Sequence, residues 1–129
     1  MGSQTGGFAE ASDIINRLKT RLSGLENERA SGLFLSKAGD VIAAVTLVEG
    51  SKDQIDLPLG RIVSLIELLD VSTLILFHNH PSGCCAPSNA DVGTTRVVAS
   101  TLQALGARLH DHIIVTPSGA FSFREKGLL

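Results

Sequence analysis

One segment of the chain determines both its fold and its candidate site: Leu74-Ile75-Leu76-Phe77-His78-Asn79-His80-Pro81-Ser82-Gly83. Its first half is a short, continuous apolar run rich in β-forming residues, which is typical of a central strand covered on both faces. We predict this strand over residues 71–77, with the two histidines at its end. Because side chains alternate across a strand, His78 and His80 are expected to project from the same face as a pair of metal ligands.

Asp91 is the third candidate ligand, eleven positions after His80 and beyond a loop that contains Gly and Pro. Two neutral imidazoles, one carboxylate and an open fourth position describe a catalytic zinc site rather than a closed structural one. Asp91 also fits a helix-capping box, Ser88-x-x-Asp91, and an acid held in the first helical turn can still direct one oxygen at a metal. Ser88 either caps this helix only or also turns its hydroxyl toward a developing oxyanion.

A hydrolytic zinc site also needs a base, and carboxylates are the usual choice when the histidines already serve as ligands. Glu28 is the first candidate, because it immediately precedes the first predicted strand and would lie at its edge. Glu26 and Glu49 are the alternatives. An acidic residue at any of these places is most often solvated surface, so the residues alone leave the identity of the base open.

A second pair of histidines, His110 and His112, lies on a later predicted strand. All four histidines of the chain therefore occur in two His-x-His pairs. For the second pair we favour a position at a strand edge near the site, either as hydrogen-bonding groups behind the metal ligands or as surface groups, and Asp111 and His112 are the candidates for the hydrogen-bonding role.

The rest of the chain alternates between helical and strand patterns. Apolar residues at three- and four-residue steps predict a helix over about 9–24, and Pro58 and Ser88 begin two more, the second running to about Leu105. The remaining predicted strands are 30–35 and 41–48 with a turn at Gly39-Asp40, a brief continuation at Ile55 and Leu57, then 108–116 and 120–123. This order predicts one α+β or three-layer domain with a mixed β-sheet flanked by helices over residues 8–129, after a flexible leader at 1–7.

Composition limits the function classes. The chain has 129 residues, a net charge of −2 and 43% hydrophobic residues, as expected for one globular domain. Its basic residues form no stripe, which disfavours nucleic-acid binding by this chain alone. No apolar run approaches the roughly 18 residues of a membrane span, and the N-terminus lacks a secretion signal, so we expect a cytoplasmic protein with no membrane partner.

The two cysteines, Cys84 and Cys85, are adjacent in the loop between His80 and Asp91. An adjacent pair cannot join two distant segments, and we expect two reduced thiols. The alternative is a pair that is sensitive to oxidation or competes for the metal.

These residues resemble the JAB/MPN metalloproteases that carry the JAMM motif, and within them the RadC-like branch. The family pattern is an upstream Glu, then His-x-His-Pro, six residues, Ser, two residues and Asp; here it is met by Glu28, His78-Asn79-His80-Pro81, Ser88 and Asp91. The branch is indicated by His-Asn-His-Pro-Ser-Gly, by Asp111-His112-Ile113-Ile114-Val115 and by the ending Ser122-Phe123-Arg124-Glu125-Lys126-Gly127-Leu128-Leu129. The resemblance extends from about residue 9 to 129.

The resemblance implies the JAB1/MPN architecture, which is similar to that of cytidine deaminases. It implies a Zn²⁺ ion held by His78, His80 and Asp91, with Glu28 as the general base and Ser88 stabilising the oxyanion. The implied reaction is hydrolysis of a peptide or isopeptide bond in a peptide or ubiquitin-like protein substrate. Two alternatives remain: a non-catalytic JAB/MPN binding module, and a DNA-repair accessory of the RadC type.

Overall fold

The computed structural model describes residues 6–50 and 56–129, with side chains described from Ala11 onward. These residues form an α+β fold with three helices and five strands. The elements in chain order are α1 (Gly6–Ser23), β1 (Arg29–Leu35), β2 (Val41–Glu49), α2 (Leu59–Leu68), β3 (Thr73–Asn79), α3 (Asn89–Ala104), β4 (Arg108–Thr116) and β5 (Gly119–Ser122).

The five strands form one mixed sheet in the order β2-β1-β3-β4-β5. Neighbouring strands are antiparallel except β3 and β4, which run parallel because helix α3 carries the chain back across the sheet between them. The predicted central strand is therefore confirmed, since β3 lies in the middle of the sheet.

Side-chain alternation along the central strands divides the core into two layers. Leu74 and Leu76 of β3 pack with Phe34 of β1 in a cluster that includes residues of α2 and α3. Ile75 and Phe77 face the opposite way and pack in a second cluster with residues of α1. The sheet is thus the middle of three layers, and His78 continues the series that faces α3.

Strand β3 begins and ends two residues later than the sequence predicts. The amide of Val71 donates to the carbonyl of Ile66, which closes the end of α2 and keeps Val71 out of the strand. At the other end, His78 pairs with Ala30 of β1 and with Ile114 of β4, so both His78 and Asn79 belong to the strand. His78 therefore lies within the strand, and His80 is the first residue after it.

Smaller boundary differences have local causes. Helix α1 begins at Gly6 rather than near Ala9, because two glycines of low helix propensity mask its first turn in the sequence pattern. Leu57 extends no strand and instead packs against the core, while Ile55 lies outside the described residues. The last strand ends at Ser122, one residue before Phe123.

No helix among the described residues has the length and apolar character needed to cross a membrane.

Candidate metal centre

Strand pairing brings Glu28 to the two histidines. In the antiparallel pairing of β1 with β3, Ala30 lies opposite His78, so Glu28, two residues earlier in the chain, lies across from His80 on the same face. Glu28 and His78 are buried and His80 is half-buried. Each of the three offers one ligand atom, and these atoms all lie within 4.8 Å of one another.

Asp91 reaches the same point from the start of α3. Its Oδ2 lies 3.3 Å from His80 Nε2, its Oδ1 lies 3.7 Å from His78 Nε2, and the two Nε2 atoms are 2.9 Å apart. Tetrahedral zinc holds nitrogen and oxygen ligands at about 2.0–2.1 Å, so such ligand atoms lie roughly 3.3 Å from one another. The observed separations bracket this value, and each group offers a lone pair to a metal once its ligand atom is deprotonated, so the donor set fits a zinc ion.

The helix-capping role predicted for Asp91 is confirmed. Ser88 Oγ accepts a hydrogen bond from the Asp91 amide at 3.0 Å, and Asp91 Oδ2 accepts one from the Ser88 amide at 2.9 Å. This reciprocal capping box holds the carboxylate at the first turn of α3, so Asp91 would lose little side-chain entropy if it bound a cation. Ser88 is exposed, and the oxygen that accepts from Asp91 can still donate its own hydrogen.

The two histidines differ in their affinity for protons. Burial lowers the pKa of His78 to about 4, against the smaller opposing effect of Asp91. The hydrogen bond to Asp91 raises the pKa of His80, and the nearby Glu28 carboxylate adds to that rise. Burial would raise the pKa of Asp91, but the hydrogen bonds from His80 and Ser88 outweigh it and lower that pKa below its usual range. The site therefore combines an ionised carboxylate with a neutral imidazole at neutral pH.

Both imidazoles are hydrogen-bonded through their Nδ1 atoms, on the side away from the centre. His80 Nδ1 lies 2.9 Å from the main-chain oxygen of Cys84, and because a carbonyl only accepts, this nitrogen carries the hydrogen. His78 Nδ1 lies 2.7 Å from Nε2 of His112 on the neighbouring strand β4. Burial lowers the pKa of His112 to about 3, so this ring is neutral.

The three residues of the second histidine segment, 110–112, lie in different surroundings. His112 lies behind the candidate ligand His78, with 2% of its surface exposed. Asp111 points to the other side of β4, where it accepts hydrogen bonds from Ser122 Oγ and from the amide of Arg124. His110 is half-buried beside Arg108, 2.8 Å from its guanidinium. Only His112 of this group contacts a candidate ligand.

The thiols of Cys84 and Cys85 are free, and Cys84 is exposed. Their loop contributes a main-chain oxygen to the site through the bond to His80. In this loop the backbone, rather than the sulfur atoms, takes part in the candidate centre.

Asn79, the residue between the two histidines, holds the segment that carries Glu28. Its Oδ1 accepts a hydrogen bond from the Arg29 amide at 2.6 Å, and its Nδ2 donates to the Asn27 carbonyl at 3.0 Å. The two bonds bracket Glu28 on both sides and fix it next to β3. Asn79 is 1% exposed, so these bonds form away from water. This role of Asn79 was not predicted from the sequence. The sequence indicates it only by an amide side chain at a strand position that faces the core.

Replacing Asn79 by aspartate is expected to lower the free energy of unfolding by about 1–3 kcal/mol, because a buried oxygen would then face the Asn27 carbonyl with no hydrogen between them. Denaturant unfolding of the metal-free protein measures this. Asn16→Asp, the same change on the exposed side of α1, is the matched control and should be near neutral. Equal stability of the two variants would show that Asn79 does not hold the Glu28 segment.

Comparison with known proteins shows the family of this chain. A model of the RadC-like JAB domain family matches residues 8–128. The chain belongs to the RadC-like JAB domain family. This RadC-like domain is 37% identical to the UPF0758 protein YfjY of Escherichia coli K12 over 112 residues, which cover 87% of the chain and 70% of YfjY. It is 34% identical to the UPF0758 protein YkfG of the same organism over 122 residues, covering 95% of the chain and 77% of YkfG.

Other relatives are longer than this RadC-like domain. A UPF0758 protein of Rhodobacter capsulatus is 34% identical over 116 residues, which are 90% of the chain and 54% of that relative. The chain thus spans about half the length of that curated relative. The names of these relatives state no reaction.

Proposed function

We propose that this RadC-like domain is a zinc-dependent hydrolase of the JAMM type that cleaves a peptide or isopeptide bond. The observation that carries the proposal is the convergence of two imidazole Nε2 atoms and the Asp91 carboxylate on one point, with Glu28 within 4.8 Å of the histidine nitrogens. His78, His80 and Asp91 would hold the ion. A bound zinc ion supplies Lewis acidity, which polarises a carbonyl and makes water a nucleophile at neutral pH.

Glu28 and Ser88 would perform the proton transfer and charge stabilisation. The Glu28 carboxylate takes a proton from the attacking water and returns it to the leaving amine, which is the usual task of a carboxylate beside a hydrolytic centre. Ser88 Oγ, held at the N-cap of α3, donates its hydrogen to the oxygen that gains charge. The Asn79 side chain holds the main chain on both sides of Glu28, and the capping box with Asp91 holds Ser88, so both groups are positioned before the reaction.

A cleft beside Glu28 provides a place for substrate. It has a volume of about 430 Å³ and is lined, among the described residues, by the segments 24–29 and 49–50. This volume is in the range of ligand-binding clefts and accommodates a few residues of an extended chain. Glu28 belongs both to the lining of this cleft and to the candidate metal group, so a chain bound in the cleft would pass beside the base, although none of the proposed metal ligands lines the cleft. We place this function in the cytoplasm, where the free Cys84 and Cys85 thiols remain reduced.

The test is metal analysis together with hydrolysis of a panel of peptides and ubiquitin-like fusion proteins, with and without a chelator. We expect about one zinc per chain and hydrolysis that stops on chelation and returns with zinc. Zinc binding without cleavage of any substrate would favour the non-catalytic module. Absence of zinc from the protein would contradict the proposal.

The DNA-repair accessory fits membership of the family equally well and needs its own experiment. With a net charge of −2, this chain has no excess of basic residues to neutralise phosphates. Titration with duplex DNA at physiological salt is expected to show no binding. Saturable binding in the micromolar range or tighter would favour the accessory role over the hydrolase.

A further inference from the structure

We infer that Thr95 and His112 are positioning residues that fix which nitrogen of His78 carries its hydrogen, and so keep His78 Nε2 ready to bind the metal. This inference rests on the proposed function, because it concerns one of the three proposed ligands. It assigns a role to two buried side chains, Thr95 at 1% and His112 at 2% exposure. Thr95 was not predicted from the sequence.

The chain of hydrogen bonds begins at a main-chain oxygen. Thr95 Oγ1 lies 2.6 Å from the carbonyl oxygen of Asp91 and 2.7 Å from Nδ1 of His112. The carbonyl can only accept, so the single hydroxyl hydrogen of Thr95 is committed to it. At 2.6 Å, any other assignment would leave two oxygens in contact without a hydrogen between them. Thr95 must therefore accept from His112, and His112 Nδ1 carries a hydrogen.

The hydrogen on His112 Nδ1 in turn determines where His78 carries its hydrogen. A neutral imidazole has one N–H, so His112 with its hydrogen on Nδ1 offers a lone pair at Nε2. This Nε2 lies 2.7 Å from His78 Nδ1, which must then donate. His78 in turn is left with a lone pair at Nε2, the atom that lies 2.9 Å from His80 Nε2. One carbonyl at the start of α3 thus determines the tautomer of a ligand on β3.

The geometry of His112 is itself fixed by packing. Its ring stacks on Phe123 with 4.7 Å between ring centroids and 9° between ring planes. The amide of Phe123 also donates to the His112 carbonyl at 3.0 Å. The stacking fixes the plane of the ring, and the hydrogen bonds at Nδ1 and Nε2 fix which nitrogen faces His78 within that plane. The arrangement is of the kind in which a ligand histidine is oriented by a partner behind it, whose removal typically weakens metal binding about 10- to 100-fold.

The first test is nitrogen-15 NMR of the histidine rings in the metal-free protein at neutral pH. We expect His78 and His112 both to carry the hydrogen on Nδ1. In Thr95→Val, which keeps the shape of the side chain and removes the hydroxyl, we expect His112 to populate both tautomers. Thr95→Ser should restore the parent pattern. A parent protein with the His78 hydrogen on Nε2 would overturn the inference, and this result does not depend on zinc.

The second test is zinc affinity, measured by competition with a coloured chelator. Thr95→Val should bind zinc about 10- to 100-fold more weakly than the parent. The matched control is Thr101→Val, because Thr101 makes the same bond to a carbonyl four residues earlier in α3 and contacts no histidine in the described residues. Thr101→Val should bind zinc as the parent does. Equal affinities of the two valine variants, or a loss of stability in Thr95→Val without loss of affinity, would assign Thr95 a purely structural role.

A pair of variants at His112 keeps the test decisive if Thr95→Val folds poorly. Glutamine can place its amide oxygen where Nε2 of the imidazole stood and accept from His78, whereas leucine cannot. We therefore expect His112→Gln to bind zinc more tightly than His112→Leu, and equal affinities would contradict the inference. If the parent itself binds no zinc, the proposed function fails, and the NMR result still decides whether the tautomer is set as described.

Discussion

A protein with both His78 and His80 replaced by alanine is expected to contain no zinc and to gain no stability when zinc is added. The two imidazoles supply two of the three proposed ligands, and Asp91 alone, 20% exposed at its side chain, cannot compete with water for the ion. In the parent, zinc at a thousandfold excess over its dissociation constant adds about 4 kcal/mol to the free energy of unfolding. For a domain of this size the melting temperature should rise by roughly 10–20 °C. Metal analysis and thermal unfolding measure the two effects.

The control for this variant is His110→Ala, which removes an imidazole of the other His-x-His pair. His110 interacts with Arg108 and contacts none of the proposed ligands in the described part of the chain. It should bind zinc as the parent does and show the same rise in melting temperature. If the doubly substituted protein also kept one zinc per chain, the ligands would lie elsewhere and the candidate centre would be wrong.

The sequence predicted the parts of the site that depend on local spacing. Two histidines two residues apart on a strand must share a face, and Ser88 three residues before Asp91 predicted the capping box that the structure confirms. The position of Glu28 depends in addition on the pairing of β1 with β3. The order of the elements along the chain does not fix this pairing, which becomes known only with the sheet topology. The fold class could also be predicted from local patterns, because each helix and strand shows the hydrophobic period of its type.

The choice between Asp111 and His112 could not be made from the sequence. In a regular strand Leu109 and Asp111 would share a face, and His112 would point away from α3. The pairing of β3 with β4 instead shifts by one residue, from Leu74 opposite Leu109 to Ile75 opposite Asp111. This bulge at His110 reverses the faces, so His112 turns toward the site and Asp111 toward the C-terminal segment. The hydrophobic pattern of the sequence does not show that this strand contains one extra residue.

The roles of Thr95 and Asn79 could not be predicted for a related reason. Thr95 contacts a histidine 17 positions away, and Asn79 joins residues 50 and 52 positions away. Their partners are set by how α3 lies against β4 and by how β1 pairs with β3, which is tertiary information. Small polar residues with buried hydrogen bonds of this kind look, in a sequence, like ordinary members of a helix or a strand.

Replacing Glu28 by glutamine is expected to retain zinc and to reduce the rate of hydrolysis by about 10²–10⁴-fold. Glutamine has nearly the shape of glutamate, so it fills the buried position of Glu28, which is 7% exposed, without creating a cavity. The amide cannot accept the proton of the attacking water, and general-base catalysis of this kind typically contributes a factor of that size. The measurements are kcat on a cleaved substrate from the panel and zinc content of the same preparation.

The controls for Glu28→Gln are the same substitution at Glu26 and at Glu49, the two alternative bases. Both lie on the 430 Å³ cleft beside Glu28, but the Glu49 side chain is 66% exposed and pairs with Arg29 at 3.4 Å, and neither belongs to the group that includes the histidines. Each control should cleave within a few-fold of the parent. Full activity in Glu28→Gln, with loss in Glu26→Gln or Glu49→Gln, would move the base to that residue. All three variants remove one negative charge from the same cleft, so a loss confined to Glu28→Gln would exclude a general effect of the cleft's charge.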